Sequence, residues 1–251
     1  MGLWPHPHPM IIDEIYSLYS RMGFTVSDAY RALFERLPVD QARLAMAAYT
    51  ATNTRMFSDG GAIIYRFSRH ATFEREGSEI IGALAQTAPP MHAAALLSHS
   101  RDEGRHALMF QALSDIMCDH LGFERVVPER IDTAPTIASF LSADSAWMDL
   151  ACTIHVAEMR NYFILSDYLA AIERSSMVHR AKFLSAIRRV KADEIRHILS
   201  TAHLLEAALE AGDGYVEKAV ANYTAYDQEC WLEVGLMANY FSNNPPMPVS
   251  Q

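Results

Sequence analysis

The sequence Asp-Glu-Gly-Arg-His at residues 102–106 returns almost unchanged as Asp-Glu-Ile-Arg-His at residues 193–197. Each copy has a Glu followed three residues later by a His, and the chain has no other Glu and His at this spacing. On an α-helix, residues i and i+3 project from the same face about one turn apart. Two helices that face each other with these motifs would direct two carboxylates and two imidazoles to one point.

Such a pair of helices supplies half of a carboxylate-bridged dinuclear metal site in a four-helix bundle. The other half is one Glu from each of two further helices. Both copies also carry the same flanking Asp and Arg, so a chance repetition is improbable. The alternative interpretation is two solvated helix faces with local ion pairs.

The remaining ligands are sought on the apolar stripes of two other predicted helices. In the helix over about 136–173, Glu158 is the only acid in the middle of a stripe that includes Ile154 and Leu165. In the helix over about 62–88, Glu74 lies on a stripe with Phe67 and Ile81, and Glu76 is the next candidate. A carboxylate on an apolar stripe is unfavourable unless it is paired or bound to metal. The predicted metal ligands are Glu74, Glu103, His106, Glu158, Glu194 and His197.

The whole chain reads as helical, because alternating β-branched runs between turn signals are absent. Residues 80–100 carry no Asp, Glu, Lys or Arg, but Pro89-Pro90 in their middle predicts a sharp turn between two helices rather than a membrane span. No linker divides the chain, so we expect one domain over residues 1–251. The predicted helices cover about 10–22, 26–37, 39–57, 62–88, 91–121, 136–173, 176–211 and 215–241, followed by a loop-like tail from Ser242.

Composition limits the partners and the compartment. The 251 residues are 50% hydrophobic, which is enough for a sizeable core, and the formal net charge is −9. This acidic balance argues against nucleic acid or an anionic membrane as the main partner. The three cysteines, Cys118, Cys152 and Cys230, have no close pairing. Together with the absence of an evident signal peptide, they predict a cytoplasmic protein with reduced thiols.

The order Glu, E-x-x-H, Glu, E-x-x-H over residues 74–197 resembles that of the ferritin-like non-heme di-iron oxidases and oxygenases. The resemblance covers about residues 62–205. It implies an all-α fold, with a ferritin-like four-helix core at about 62–211 and additional N- and C-terminal helices at about 10–57 and 215–241. It also implies two iron ions, or a Mn/Fe pair, with O₂ as co-substrate. Four carboxylates would balance the charge of two divalent ions, and mixed oxygen and nitrogen ligands suit iron or manganese.

By the same resemblance, Asp102 and Asp193 would accept the free ring N–H of a ligand His, and Arg105 and Arg196 would neutralise the buried acids. Phe110 stands where some relatives have a radical tyrosine, which argues against radical storage at that position. An extra ligand or proton carrier is expected among His155, His70 and His99, although a buried His bonded to a neighbour is the blander alternative. The residues expected to line a substrate pocket are Phe110, Tyr162, Ser78 and Thr201.

The resemblance therefore implies an O₂-dependent oxygenase or oxidase of a small organic molecule, by hydroxylation, N-oxygenation or desaturation. An external electron donor, either a ferredoxin or a reductase, is expected because the chain has no flavin or cysteine-rich cluster motif. A homodimer is also expected. The alternatives are an iron-storage or peroxide-scavenging protein with the same ligands, and a metal-free bundle that serves as a partner subunit.

Overall fold

The computed structural model describes residues 11–35, 50–125, 147–212, 214, 216–217 and 234–249. Within these ranges the chain is helical, and the only pairing of extended backbone is an isolated bridge between Asp59 and Pro248. Residues 50–56 are also helical. The labelled helices are α1 (Ile11–Arg21), α2 (Asp28–Glu35), α3 (Gly60–Thr87), α4 (Pro90–Leu121), α5 (Trp147–Arg174), α6 (Arg180–Glu210) and α7 (Val234–Asn243).

Helices α3 and α4 form a tight antiparallel hairpin. The Asp59 side chain caps α3 by accepting the Ala62 N–H at 3.1 Å. The prolines then end one helix and start the next, because Ala88 is extended and Pro90 occupies the first turn of α4, where its missing N–H is not needed. Helix α4 ends at Gly122, whose φ of 72° is a left-handed conformation that favours glycine. This hairpin sets Glu74 beside the first motif.

Helices α5 and α6 form the second hairpin, and α6 also contacts α4. Residues 175–179 are not helical, so α6 begins later than the predicted residue 176. The reason is tertiary: Met177 is buried, and the Val178 N–H donates to the Val249 carbonyl at 3.1 Å. The C-terminal segment therefore contacts a connection that is not helical, a feature that the local sequence does not indicate.

The outer segments pack against the two hairpins. Helix α2 contacts α6, where the Ser27 N–H donates to Glu206 at 2.7 Å, and α7 contacts α3. The C-terminal segment lies against the start of α3, since the Gly60 N–H donates to the Met247 carbonyl at 2.7 Å. A Cβ on Gly61 would lie 2.5 Å from the Tyr240 hydroxyl, so this close approach needs glycine. The tail is loop-like, as predicted, but it begins after Asn243.

The all-α prediction is confirmed for the described residues, and the turn at Pro89-Pro90 is present. None of the described helices is long and apolar enough to cross a membrane. Cys118 and Cys152 are buried and form no disulfide, whereas Cys230 lies outside the described residues. Long parts of three predicted helices, at 39–49, 136–146 and 218–233, also lie outside them, as do residue 10 and residues 36–37 of the first two.

Candidate metal centre

The six predicted ligands come together in the interior from four helices. Helix α3 provides Glu74, α4 provides one motif, α5 provides Glu158, and α6 provides the other motif. All six side chains belong to residues that are at most 6% exposed. Glu74, the residue chosen over Glu76 on this helix, places its Oε2 3.6 Å from His106 Nδ1.

The ligand atoms fall into two overlapping groups, and Glu103 belongs to both. One group contains Glu74, Glu103 and His106, and the other contains Glu103, Glu158, His197 and also His99. Within each group the potential ligand atoms lie within 4.8 Å of one another. Glu194 joins the two groups, at 3.8 Å from His106 Nδ1 and 3.5 Å from His197 Nδ1. Two groups of candidate ligands thus lie side by side, and Glu103 and Glu194 contact both.

Most of these ligand atoms are buried without a hydrogen bond. Within the described part of the chain, at least one oxygen or nitrogen of each of the six residues has no hydrogen-bond partner. Buried polar atoms are ordinarily paired, because an unpaired one costs about 1–3 kcal/mol and a charged one costs more. Convergence of unpaired atoms at one place indicates a cation site. The atoms are Glu74 Oε2, Glu103 Oε1, Glu158 Oε2, Glu194 Oε1 and Oε2, His106 Nδ1 and His197 Nδ1.

The imidazoles are oriented by the aspartates of the opposite motif. His106 donates its Nε2–H to Asp193 at 3.1 Å, and His197 donates its Nε2–H to Asp102 at 3.3 Å. These bonds leave Nδ1 of each ring unprotonated toward the glutamates when a metal is bound. The hydrogen bonds predicted for Asp102 and Asp193 are therefore present. Each of these hydrogen bonds joins the Asp of one motif to the His of the other motif. This gives a physical reason why both copies contain an Asp.

The two arginines close this outer network rather than reach the glutamates. Arg105 contacts both aspartates at 2.7 Å, and Arg196 contacts Asp193 at 2.6 Å and Asp102 at 3.2 Å. Their side chains are 37% and 57% exposed, so they lie near the surface. The buried acids that they contact are Asp102 and Asp193, and the partly exposed guanidinium groups remain in contact with water. Arg105 and His106, together with Arg196, hold the pKa of Asp193 at about 2 against the effect of burial.

The four glutamates divide into two pairs with opposite proton affinities. Burial, followed by the charge of Glu103, raises the pKa of Glu74, and burial with Glu158 raises the pKa of Glu194. At Glu103 and Glu158 burial acts in the same direction but is outweighed by the close neighbouring glutamates and histidines, so their pKa values are lowered. Carboxylates likewise outweigh burial at His99 and His197 and raise their pKa values. The directions of these shifts favour bound protons on Glu74, Glu194, His99 and His197.

Of the three extra histidines, only His99 joins the ligand groups. Its Nε2 lies 2.8 Å from Glu158 and 3.2 Å from Glu103, and its ring stacks on His197 with centroids 3.7 Å apart. His70 instead bonds the Tyr168 hydroxyl at 2.8 Å. His155 bonds the hydroxyls of Tyr30 and Thr201. His70 and His155 are therefore buried histidines that bond to neighbouring hydroxyl groups, which is the alternative to a ligand role.

The four predicted pocket residues make contacts of other kinds. Phe110 stacks against Phe67 and His70 with centroids 5.6 and 4.9 Å apart, and Ser78 donates to the Ser100 carbonyl at 2.7 Å. Thr201 donates to the His197 carbonyl at 2.8 Å. The Tyr162 hydroxyl donates to Glu14 on α1 at 3.3 Å. A cavity of about 200 Å³ lies among the residues of α1 and the loop to α2, and none of the four lines it. Their role in substrate binding stays a prediction.

Replacing Asp102 by Asn is expected to weaken metal binding by about 10–100-fold, the usual effect of removing the partner of a ligand His. The neutral amide of Asn does not provide the charged acceptor that fixes the orientation of the His197 ring. The measurement is a Mn(II) titration followed by electron paramagnetic resonance. The control is Asp119→Asn on the same helix, where the 59% exposed side chain pairs only with Arg125 among the described residues. Equal affinities in both variants would contradict this role of Asp102.

Metal binding is expected to release protons, at least one per chain. Neighbouring carboxylates raise the pKa values of His99 and His197 and so favour the protonated rings, whereas a bound cation requires deprotonated ligands. Lowering the pH therefore opposes binding, and the affinity rises with increasing pH. Calorimetric Mn(II) titrations in buffers of different ionisation enthalpy give the number of protons. Binding without proton release, at an affinity independent of pH, would contradict the charge arrangement.

Comparisons with protein-family models, with curated proteins and with solved structures gave no match for this chain.

Proposed function

We propose that the protein is an O₂-dependent non-heme di-iron oxygenase or oxidase with a ferritin-like four-helix core, acting on a small organic molecule. The observation that carries the proposal is the convergence of unpaired, buried ligand atoms from four glutamates and two histidines. A bundle with this ligand set, a Glu from each of two helices and Glu-x-x-His from each of two more, is the arrangement found in di-iron and di-manganese carboxylate proteins.

The donor set fits two divalent ions of the iron or manganese type. Four carboxylates carry a charge of −4, which two divalent cations balance, and no described lysine or arginine is in ion-pair contact with these carboxylates. Oxygen donors with a few imidazoles suit Mn, Fe and Co rather than the soft metals that select thiolates. The Nδ1-to-carboxylate separations of 3.3–3.8 Å leave room between the donors for cations. Glu74 and His106 would hold one ion and Glu158 and His197 the other, and Glu103 and Glu194 could contribute to both.

When bound, a pair of ferrous ions supplies the electrons that activate dioxygen. The chain itself orients the two imidazoles through Asp102 and Asp193. His99 holds a proton at Nε2 against Glu158 Oε1 in the metal-free protein, and the same nitrogen can instead serve as a seventh ligand. Phe67 and Phe110, which are at most 1% exposed, contribute to the apolar surroundings that exclude water.

The remaining partners follow from the chemistry. Repeated turnover needs an external one-electron donor, such as a ferredoxin or a reductase. The substrate is a small organic molecule that undergoes hydroxylation, N-oxygenation or desaturation. A Mn/Fe pair is the alternative composition of the centre, and a homodimer is the expected assembly.

The test is a rapid-mixing experiment on protein loaded with Fe(II) under anaerobic conditions. Mixing with O₂ should consume O₂ and give a transient visible absorption that decays faster when a suitable small organic molecule is present. That acceleration serves as the screen for substrates, and product formed with ¹⁸O₂ distinguishes oxygenase from oxidase chemistry. Glu79→Gln, an exposed change on α3, is the control for handling and should behave as wild type.

Two other outcomes would contradict the proposal. Iron bound at the site and oxidised at a rate that no organic molecule changes, with further iron deposited beyond the ligand count, would favour iron storage or peroxide scavenging. Absence of stoichiometric metal would favour a metal-free bundle that acts as a partner subunit.

A further inference from the structure

A chain of hydrogen bonds leads from the outer helices to the metal centre. The Tyr19 and Tyr30 hydroxyls lie 2.7 Å apart, the Tyr30 hydroxyl lies 2.5 Å from His155 Nε2, and His155 Nδ1 lies 2.7 Å from Thr201. All four residues are at most 2% exposed. His155 stands one helical turn before Glu158, and Thr201 stands one turn after His197. The chain therefore begins on α1 and ends beside two metal ligands.

The direction of these hydrogen bonds follows from Thr201. Its single hydroxyl proton goes to the His197 carbonyl of its own helix at 2.8 Å, so its oxygen accepts from His155 Nδ1–H. His155 Nε2 is then unprotonated and accepts the Tyr30 proton, and the Tyr30 oxygen accepts from Tyr19. Burial lowers the pKa of His155 to about 3, so the ring is neutral and Nε2 is available as an acceptor. Tyr30 thus has a proton acceptor already in place.

We propose that Tyr30 is a redox-active residue that passes single electrons to the metal centre, with His155 Nε2 as the acceptor of its phenolic proton. This inference rests on the proposed function, because the oxidant is the iron pair after its reaction with dioxygen. Oxidation of a phenol is favourable at moderate potential only when its proton can leave at the same time. In a buried site that proton needs a base within hydrogen-bond distance, and His155 provides one.

The step balances in atoms and electrons. The Tyr30 O–H bond breaks, the proton forms an N–H bond at His155 Nε2, and one electron reduces the oxidised iron pair by one equivalent. Tyr30 becomes a neutral phenoxyl radical that keeps the hydrogen bond from Tyr19. A one-electron donor then reduces the radical, and His155 returns the proton. Tyr19 also lines the cavity of about 200 Å³ beside α1, which brings the outer end of the chain within reach of such a donor.

A second buried tyrosine makes a similar contact but lies in the opposite electrostatic setting. The Tyr168 hydroxyl bonds His70 at 2.8 Å, and it also accepts a hydrogen bond from Arg66 at 2.9 Å. Burial lowers the pKa of His70, and the positive charges of Arg66, Arg69 and Arg160 lower it further. These charges would repel a proton transferred to this ring. Burial lowers the pKa of His155 as well, but there the nearby Glu158 acts against this effect and favours the protonated ring. The electrostatics favour Tyr30 over Tyr168.

The test compares wild type with Tyr30→Phe and Tyr168→Phe, two matched removals of a hydroxyl from a fully buried ring. Each protein is loaded with Fe(II), mixed with O₂ without any external reductant, and frozen within milliseconds to seconds for electron paramagnetic resonance. The expected result is a radical signal near g = 2 in wild type and in Tyr168→Phe, and its loss in Tyr30→Phe at equal iron content. Ring-deuterated tyrosine should narrow the signal, which identifies it as tyrosine-derived.

Several results would overturn the inference, and they separate it from the proposed function. A signal that persists in Tyr30→Phe, or no tyrosine signal in wild type although iron is bound and oxidised by O₂, removes Tyr30 and leaves the di-iron function standing. Loss of iron from Tyr30→Phe would assign the residue a structural role. A wild-type protein that binds no iron would remove both proposals.

Discussion

Replacing Glu103 by Gln is expected to abolish binding of both metal ions, whereas replacing Glu74 by Gln removes only one. Glu103 belongs to both ligand groups, and Glu74 belongs to one. The loss of affinity in Glu103→Gln should exceed the roughly 10–100-fold loss that follows removal of an outer partner of a ligand. Metal analysis after anaerobic loading with Fe(II) and removal of unbound iron measures the stoichiometry of each variant.

The control for this experiment is the stability of the metal-free protein. Four buried carboxylates are unfavourable without a cation, so a neutral amide of similar size at position 103 should leave the metal-free fold at least as stable. Thermal unfolding of the metal-free variant by circular dichroism tests this directly. A Glu103→Gln protein that keeps two metals would show that Glu103 does not join the two groups.

Adding metal to the metal-free protein is expected to raise its Tm by about 5–10 °C. A ligand at 100 times its Kd stabilises the folded state by about 2.7 kcal/mol, and 1 kcal/mol corresponds to about 2–4 °C for a chain of this size. The physical origin is the replacement of shared protons by cations among the glutamates of the site. Mn(II) is suitable because it does not react with O₂ on the time scale of a thermal scan.

Specificity of this shift is checked with the Glu103→Gln variant, whose Tm should not respond to Mn(II) at the same concentration. A similar increase in both proteins would mean that the metal binds elsewhere, for example at the exposed acidic groups of a chain with net charge −9. No increase in wild type would contradict a cation site in the interior.

The six residues that meet in the interior could be predicted because each one interrupts an apolar stripe. Glu158 and the two motifs lie on helix faces that are otherwise apolar, and a charged residue there needs a partner. The same argument separated Glu74 from Glu76, since only Glu74 lies on the stripe. The helix ends at Pro89-Pro90 and Gly122 were also predictable from local sequence. Proline fixes φ and lacks an N–H donor, and glycine readily adopts the left-handed conformation that ends a helix.

Features that depend on contacts between distant segments could not be predicted in this way. Tyr30 and His155 are 125 residues apart, and no local sequence pattern near either residue predicts their hydrogen bond. The crossed pairing of each Asp with the His of the other motif depends on how α4 and α6 face each other. The late start of α6 depends on the Val249 carbonyl, and the direction of the Tyr162 hydroxyl depends on Glu14 of α1.

The most direct test of the account is the number of iron ions that one chain binds in its interior. Protein loaded with Fe(II) under anaerobic conditions, freed of unbound metal and analysed for iron and protein, is predicted to contain about two irons per chain, as the ligand count requires. Mössbauer spectra of the same sample should show ferrous ions with oxygen and nitrogen ligands. A chain that retains no stoichiometric iron, or retains the same amount when Glu103 and Glu194 are both replaced by Ala, would contradict the dinuclear centre.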